Sequence, residues 1–184
     1  FPKYERYKDS GIEWLGEIPE HWGMLPVRAI FEDRREKNTG EKTDFILSVM
    51  KDRGIIPYDE KGSVGNNKSE NIENYKLVYP GDLVINKMNA IIGSLGISPY
   101  YGALSQVYFV LYPKDKIQAN EYYFGYLFQI KSFQRSLIKI AKGIMELRES
   151  IDFNQFKKLL LPIPSIKEQK RIVEFLDRKT EEID

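Results

Sequence analysis

Two closely spaced prolines, Pro162 and Pro164, divide this chain of 184 residues into a long amino-terminal part and a short carboxy-terminal part. Each proline lacks a backbone N–H and has a fixed φ, so the element before them is expected to end here. Directly afterwards, Ser165-Ile-Lys-Glu168 has the Ser-x-x-Glu pattern of a capping box, which predicts the first turn of a helix. We therefore expect a domain over residues 1–161 and a helix within residues 162–184.

The terminal helix has a narrow apolar seam among charged residues, a pattern typical of a helix that pairs with another helix. The seam consists of Ile172, Val173, Leu176 and Ile183. No C-cap signal stands before Asp184, so the helix is expected to continue beyond it. The sequence thus predicts a coiled-coil-type helix whose interface is this seam.

The domain combines helical and strand patterns. Val27–Lys37 has apolar residues at helical spacing, and Asn120 is a suitable N-cap for a longer helix over residues 121–141. Between residues 44 and 112, short apolar segments alternate with polar turns, and Ala103–Tyr112 is the longest strand candidate. We therefore expect a mixed α+β domain followed by the coiled-coil-type helix.

The residues that the chain lacks argue against most enzyme classes. It has no cysteine, which excludes thiol catalysis and thiolate metal sites and is compatible with the cytoplasm. It has one histidine, His21, which argues against a histidine metal site or a Ser-His-Asp triad. A glycine-rich adenosylmethionine turn, an Asn/Asp-Pro-Pro-Tyr tetrapeptide and a Walker phosphate loop do not occur. Glu168-Gln-Lys170 resembles half of a nuclease motif, but we interpret it as helix surface. No apolar run is long enough to cross a membrane.

Positive charge is concentrated in one stretch, although the net charge of the whole chain is only +1. Residues 114–148 hold seven basic and three acidic side chains. This local excess favours a polyanionic partner, while a merely solvated basic face is an equally acceptable interpretation. The candidate phosphate contacts are Lys131, Arg135, Lys139, Lys142 and Arg148.

Polar loops supply a second group of candidates, which could read the edges of DNA bases. Lysine and arginine bond guanine edges, and asparagine bonds adenine edges, so side chains of this kind on loops suit duplex recognition. The candidate base contacts are Lys51, Arg53, Asn66, Lys68, Lys87, Asn89, Tyr100, Tyr101 and Ser105.

Two long blocks of the sequence carry a family resemblance. The first is Tyr7-Lys-Asp-Ser-Gly-Ile-Glu-Trp-Leu-Gly-Glu-Ile-Pro-Glu-His-Trp22, and the second is Leu161-Pro-Ile-Pro-Ser-Ile-Lys-Glu-Gln-Lys-Arg-Ile-Val-Glu-Phe-Leu-Asp177. Between them, the shorter blocks are Pro80-Gly-Asp-Leu-Val-Ile-Asn86, Gly93-Ser-Leu-Gly-Ile97 and Gly102-Ala-Leu-Ser105. Together they resemble the specificity subunits of type I restriction-modification systems, and the second long block resembles the spacer region of that family.

The resemblance implies a non-catalytic DNA-recognition protein without its own cofactor. A complete specificity subunit has two target-recognition domains, each followed by a long helix, and the two helices pair in antiparallel fashion. Partner modification subunits bind S-adenosylmethionine and methylate adenine, and a restriction subunit uses ATP and Mg²⁺ to translocate and cut. This chain corresponds to one recognition domain and the start of one spacer helix, so its helix is expected to meet a second recognition domain or a second copy of the chain.

Two other functions stay open at the level of sequence. A protein-interaction adaptor, with a degenerate recognition domain, would act through the terminal helix alone. An active nuclease or methyltransferase would turn over DNA in the presence of metal or S-adenosylmethionine. We favour sequence-specific binding of double-stranded DNA, with no membrane partner.

Overall fold

The computed structural model describes residues 3–62, 68–144 and 148–183, and it confirms a mixed α+β fold with a carboxy-terminal helix. The strands are β1 (Tyr7–Asp9), β2 (Glu17–Pro19), β3 (Gly23–Pro26), β4 (Phe31–Asp33), β5 (Leu47–Met50), β6 (Gly54–Pro57), β7 (Lys76–Val78), β8 (Leu83–Ile85), β9 (Leu95–Ile97), β10 (Gly102–Leu104), β11 (Phe109–Pro113), β12 (Ala141–Ile144), β13 (Arg148–Ile151) and β14 (Leu160–Ile163). The α-helices are α1 (Val27–Ile30), α2 (Glu121–Phe128), α3 (Lys131–Ser136), α4 (Phe153–Phe156) and α5 (Ile166–Ile183).

A four-stranded antiparallel sheet with the strand order β4-β11-β8-β9 lies at the centre of the fold. The Tyr79-Pro-Gly-Asp82 turn, one of the turns expected between residues 44 and 112, leads into β8, and Gly81 adopts a φ of 91° there. Helix α2 packs across β9, and its Phe124 meets Phe31 of β4 with 5.1 Å between ring centroids. The largest hydrophobic core therefore lies between this sheet and the helices.

Two predicted elements at the sheet are wrong in length. The helix expected over Val27–Lys37 is the single turn α1, because Phe31–Asp33 pairs with β11 as an edge strand and buries Phe31. The long strand expected over Ala103–Tyr112 is two strands. They separate at the turn over residues 105–108, since β10 pairs with β7 whereas β11 pairs with β4 and β8.

The helix expected over residues 121–141 is also shorter than predicted. The Asn120 side chain caps α2 as expected, accepting from the backbone N–H groups of Tyr122 and Tyr123. The chain then turns at residues 129–130 and restarts as α3. The break lets Phe133 reach the core beside Phe128, at 4.8 Å between ring centroids. A 3₁₀ turn over residues 137–140 and strand β12 complete the stretch.

The expected break occurs at Pro164, since β14 ends at Ile163 and α5 begins at Ile166, but Pro162 does not interrupt the regular structure. Pro162 lies inside β14, which pairs with β3 in a two-stranded antiparallel sheet, opposite Met24. A two-stranded sheet tolerates proline, because each strand has one side that no other strand of the sheet occupies.

Helix α5 packs against the domain over its first turns. The backbone N–H of Glu168 donates to Ser165 Oγ at 3.3 Å, which is one half of the predicted capping box, whereas the Glu168 carboxylate bonds Trp22 and His21. Gln169 is fully buried, and its side chain bonds Asn120 N at 2.8 Å, Gln118 O at 2.8 Å and Pro164 O at 2.9 Å. The domain boundary near residue 161 stays a prediction. Within the described ranges, no helix has the length and apolar character that a membrane crossing requires.

Candidate nucleic-acid interface

The antiparallel register of the central sheet brings several connections between strands to the same end of the sheet. Ile85 of β8 lies opposite Phe109 of β11 and opposite Leu95 of β9. In antiparallel pairs, the residues that follow one strand and those that precede its partner lie at the same end. The β8–β9 connection and the β10–β11 turn therefore share this end of the sheet.

The β5–β6 hairpin and the start of α3 reach the same place. Asp52 Oδ1, in the hairpin turn, lies 4.0 Å from Lys131 Nζ. A Cβ built on Gly93, in the β8–β9 connection, would lie 3.5 Å from the same ammonium. We call this surface the turn edge and define it as residues 51–53, 86–94 and 105–108.

Five of the nine candidate base contacts lie on the turn edge. Lys51, Arg53 and Asn89 are exposed, and Lys87 and Ser105 are half-buried. Arg53 is held by Glu60, whose backbone oxygen accepts from Arg53 Nη1 at 3.3 Å and whose carboxylate lies 3.8 Å from Nη2. The fold thus gathers, from three separate connections, side chains that can bond guanine or adenine edges.

Three other candidate base contacts lie outside the turn edge. The ring of Tyr101 packs on Tyr79 with 5.1 Å between centroids, and the ring of Tyr100 packs on Phe45 at 5.5 Å. Lys68 donates its backbone N–H to the Tyr58 hydroxyl at 2.6 Å. The structure does not bring these residues to the turn edge. Asn66 lies outside the described residues.

The candidate phosphate contacts do not share one helix, because the helix expected over residues 121–141 is divided into shorter elements. Lys131 and Arg135 are on α3, whereas Lys139 is in the 3₁₀ turn that follows it. Arg135 and Lys139 line a groove of about 680 Å³ against the amino-terminal loop at residues 11–14. The side chains of Lys142 and Arg148 lie outside the part of the chain that the structure describes. Arg135 and Lys139 therefore form part of a groove wall rather than of one helix face.

Two of these cations already have acidic partners within the chain. Lys139 Nζ donates to Glu13 Oε2 at 2.7 Å, and this hydrogen bond, followed by the charge of Lys139, lowers the pKa of Glu13. Lys131 faces Asp52, as described above. Both pairs are exposed, and exposed ion pairs contribute little to stability, so a phosphate oxygen can replace the carboxylate at little cost.

The structure adds basic residues that the sequence interpretation missed. Lys76 begins β7, and its Nζ donates to the backbone oxygen of Tyr108 in the turn edge at 2.8 Å. Burial is the largest cause that lowers the pKa of Lys76, and the positive charges of Lys87 and Arg35 lower it further, against the opposing charge of Asp33. The sequence around Lys76 does not indicate a basic cluster, because its charged neighbours are Asp33 and Arg35, at the end of β4, and Lys87, after β8.

The seam of α5 lies partly against the domain itself. Ile172 and Val173 pack against the main core. Leu176 lines an apolar groove together with Tyr126 of α2, and Ile183 is 85% exposed. The role of these four residues in pairing with another helix stays a prediction, but the first part of the seam also serves the fold of the chain.

Comparisons with known proteins agree with one another. Residues 19–184 match the family described as "Type I restriction modification DNA specificity domain". A protein of Methanocaldococcus jannaschii, described as a type I restriction enzyme MjaX specificity subunit, is 30% identical over 190 residues. That alignment covers 96% of this chain and 43% of the relative, so the chain spans less than half the length of this curated protein.

Solved structures have the same fold. The HsdS subunit from Thermoanaerobacter tengcongensis superimposes with a TM-score of 0.54 at 16% identity, covering 96% of this chain and 40% of that one. The S subunit of a type I restriction-modification system from M. genitalium gives a TM-score of 0.56 at 14% identity, covering 88% and 39%. The adaptor alternative has no support among these relatives.

Proposed function

Because the chain belongs to the type I restriction-modification DNA specificity domain family, we propose that it recognises a specific sequence of double-stranded DNA through the turn edge. The observation that carries this proposal is the convergence of Lys51 and Arg53 from the β5–β6 hairpin with Lys87 and Asn89 from the β8–β9 connection, at one end of the central sheet. Side chains of these types can distinguish guanine from adenine in the major groove.

The proposed recognition divides the work between two kinds of contact. Arg53 and Asn89 are exposed on the turn edge and would meet base edges, which carry sequence information. Arg135 and Lys139 line the neighbouring groove and would hold the backbone, which fixes the position of the protein without reading sequence. Lys131 lies at the junction between the two surfaces, close to both Asp52 and Gly93.

We further propose that the chain contributes recognition and no chemistry. Modification subunits would bind S-adenosylmethionine and methylate adenine, and a restriction subunit would use ATP and Mg²⁺ to cleave. Since the relatives are more than twice as long as this chain, it would supply one half of the recognised site. A second domain or a second copy, joined through α5, would supply the other half.

The proposal is tested by selecting duplexes from a randomised pool with the 184-residue chain and measuring the affinity of the selected and unselected DNA at several salt concentrations. We expect enrichment of one short sequence and a steep loss of affinity as salt rises, since released counterions drive phosphate binding. Equal affinity for selected and unselected duplexes would contradict sequence recognition.

A further inference from the structure

Lys76 is fixed in the fold more firmly than an ordinary surface lysine. It is half-buried at the start of β7. Its backbone pairs with Leu104 of β10 on one side and forms an isolated β-bridge with Lys37 on the other. Its Nζ donates to the backbone oxygen of Tyr108 at 2.8 Å. The ammonium is therefore held at the turn edge, and little side-chain entropy remains to be lost when it binds a ligand.

The charges around Lys76 leave a local positive excess. Arg35 and Lys87 both repel its ammonium, and Asp33 is the carboxylate that attracts it. That carboxylate is shared, because Asp33 Oδ2 also accepts from Arg35 Nε at 2.9 Å. Asp33 is thus shared between Lys76 and Arg35, and Lys87 adds a third positive charge near Lys76. Crowding of like charges is unfavourable for the fold alone and becomes favourable when an anion is bound.

A lysine ammonium has three N–H donors. Among the described residues, Lys76 Nζ donates a hydrogen bond to Tyr108 O, so the ammonium has N–H groups left to donate to a ligand. A phosphate group has several acceptor oxygens and a full negative charge, which suit a fixed ammonium flanked by a guanidinium and a second ammonium.

We infer that Lys76, flanked by Arg35 and Lys87, binds a backbone phosphate of the DNA duplex and sets the register of the turn edge on it. The inference rests on the proposed function. A phosphate held at Lys76 would place the β8–β9 connection, and with it Asn89, next to the duplex, because Lys87 belongs to both surfaces. Phosphate contacts of this kind orient a protein so that its base contacts are in reach.

The test compares the wild-type chain with Lys76→Met, which keeps the aliphatic stem, and with Lys76→Arg, which keeps the charge. Lys116→Met is the matched control, because Lys116 pairs with Glu121 at the start of α2, close to Gly81 and away from the turn edge. The readouts are the affinity for selected and unselected duplexes and the slope of log affinity against log salt. Thermal unfolding of each variant is measured in parallel.

We expect Lys76→Met to bind all duplexes about tenfold more weakly and to reduce the salt slope by about 0.9, as for one lost phosphate contact. Lys76→Arg should restore the slope, and Lys116→Met should leave it unchanged. A purely structural role would change the unfolding temperature without the slope. If Lys76→Met does not fold, Arg35→Met, which removes an exposed member of the same cluster that is not a candidate base contact, should reduce the slope in the same way.

The outcomes separate the two proposals. Sequence-selective binding by the wild type, with an unchanged slope in Lys76→Met, overturns the phosphate site and leaves the proposed function standing. Binding without sequence preference, with a reduced slope in Lys76→Met, overturns sequence recognition and leaves the phosphate site standing. A wild-type chain that binds no duplex overturns both.

Discussion

Trp22 and Glu168 are joined by a hydrogen bond across 146 positions of the chain: the indole Nε1–H of Trp22 donates to Glu168 Oε1 at 3.1 Å. His21 Nε2 lies 3.0 Å from the other carboxylate oxygen, so two adjacent residues of the amino-terminal segment contact the same side chain. Glu168 is in the first turn of α5. The start of this helix is therefore tied to the domain by a residue that the sequence assigns to a cap. The interpretation of Glu168-Gln-Lys170 as helix surface is wrong for Glu168, which is mostly buried, and for Gln169, which is fully buried.

Replacing Glu168 with alanine should destabilise the chain by about 2 kcal/mol, because hydrogen bonds to a charged group contribute about 1.5–3 kcal/mol. Its carboxylate is mostly buried, so the Trp22 indole would lose its partner in a region with limited access to water. Urea unfolding followed by tryptophan fluorescence measures the change. Glu174→Ala, at an exposed position of the same helix, is the control and should alter stability by less than about 0.5 kcal/mol.

The same carboxylate should make stability depend on acid pH. Burial alone raises the pKa of Glu168, but hydrogen bonds from Tyr4, Trp22 and His21 outweigh it, so the pKa is lowered from its ordinary value of 4.5. A lowered folded-state pKa means that the contribution is complete above pH 4.5 and is lost as the pH falls through the lower folded value. As the pH falls below 4.5, the wild type should therefore lose more unfolding free energy than Glu168→Gln, as titrated denaturation would measure. Parallel curves for the two proteins would contradict this assignment.

Gln169 is expected to be the most sensitive polar residue of α5. Its buried amide bonds the backbone at Asn120, Gln118 and Pro164, and Gln169→Leu would leave these groups without their side-chain partner. Each unsatisfied buried group costs about 1–3 kcal/mol, so we expect a loss of about 3 kcal/mol in denaturant unfolding. Lys170→Leu, at the next and exposed position, controls for helix propensity. A loss in Gln169→Leu no larger than in that control would refute the role of the amide.

Arg53 and Lys139 should respond differently to truncation, because they occupy different surfaces. Arg53→Ala, on the turn edge, should change which duplex is preferred and cost about 1–3 kcal/mol on the best sequence. Lys139→Ala, in the groove, should weaken binding to every duplex and reduce the salt slope. Competition binding with selected and unselected DNA measures both effects. Equal loss on all DNA for both variants would defeat this division of roles.

Substitutions at the two ends of the α5 seam should distinguish effects on folding from effects on association. Ile183 is 85% exposed, so Ile183→Asp should leave stability nearly unchanged and weaken association through the helix. Leu176 lines the apolar groove beside Tyr126, so Leu176→Asp should reduce both association and stability. The sequence alone predicts that Leu176→Asp spares the fold of residues 1–160. Sedimentation and thermal unfolding of both variants distinguish these cases, and unchanged association in Ile183→Asp would argue against a helix interface there.

Local signals in the sequence were sufficient for elements whose cause lies within a few residues. Asn120 and Ser165 cap helices where expected, because a capping side chain bonds a backbone group two or three positions away. The Tyr79–Asp82 turn forms for a similar reason, since proline and glycine favour its backbone angles. The family resemblance also came from contiguous blocks of residues, and the comparisons confirm it.

Tertiary structure alone decided features whose partners are distant in the chain. A strand forms only where a neighbouring strand can pair with it. Residues 103–112 are divided because β10 pairs with β7, whereas β11 pairs with β4 and β8. For the same reason, Pro162 lies in a strand rather than a break. The positive cluster at Lys76 arises because β4, β7 and β8 bring Arg35 and Lys87 to it, and charges act through space rather than along the sequence.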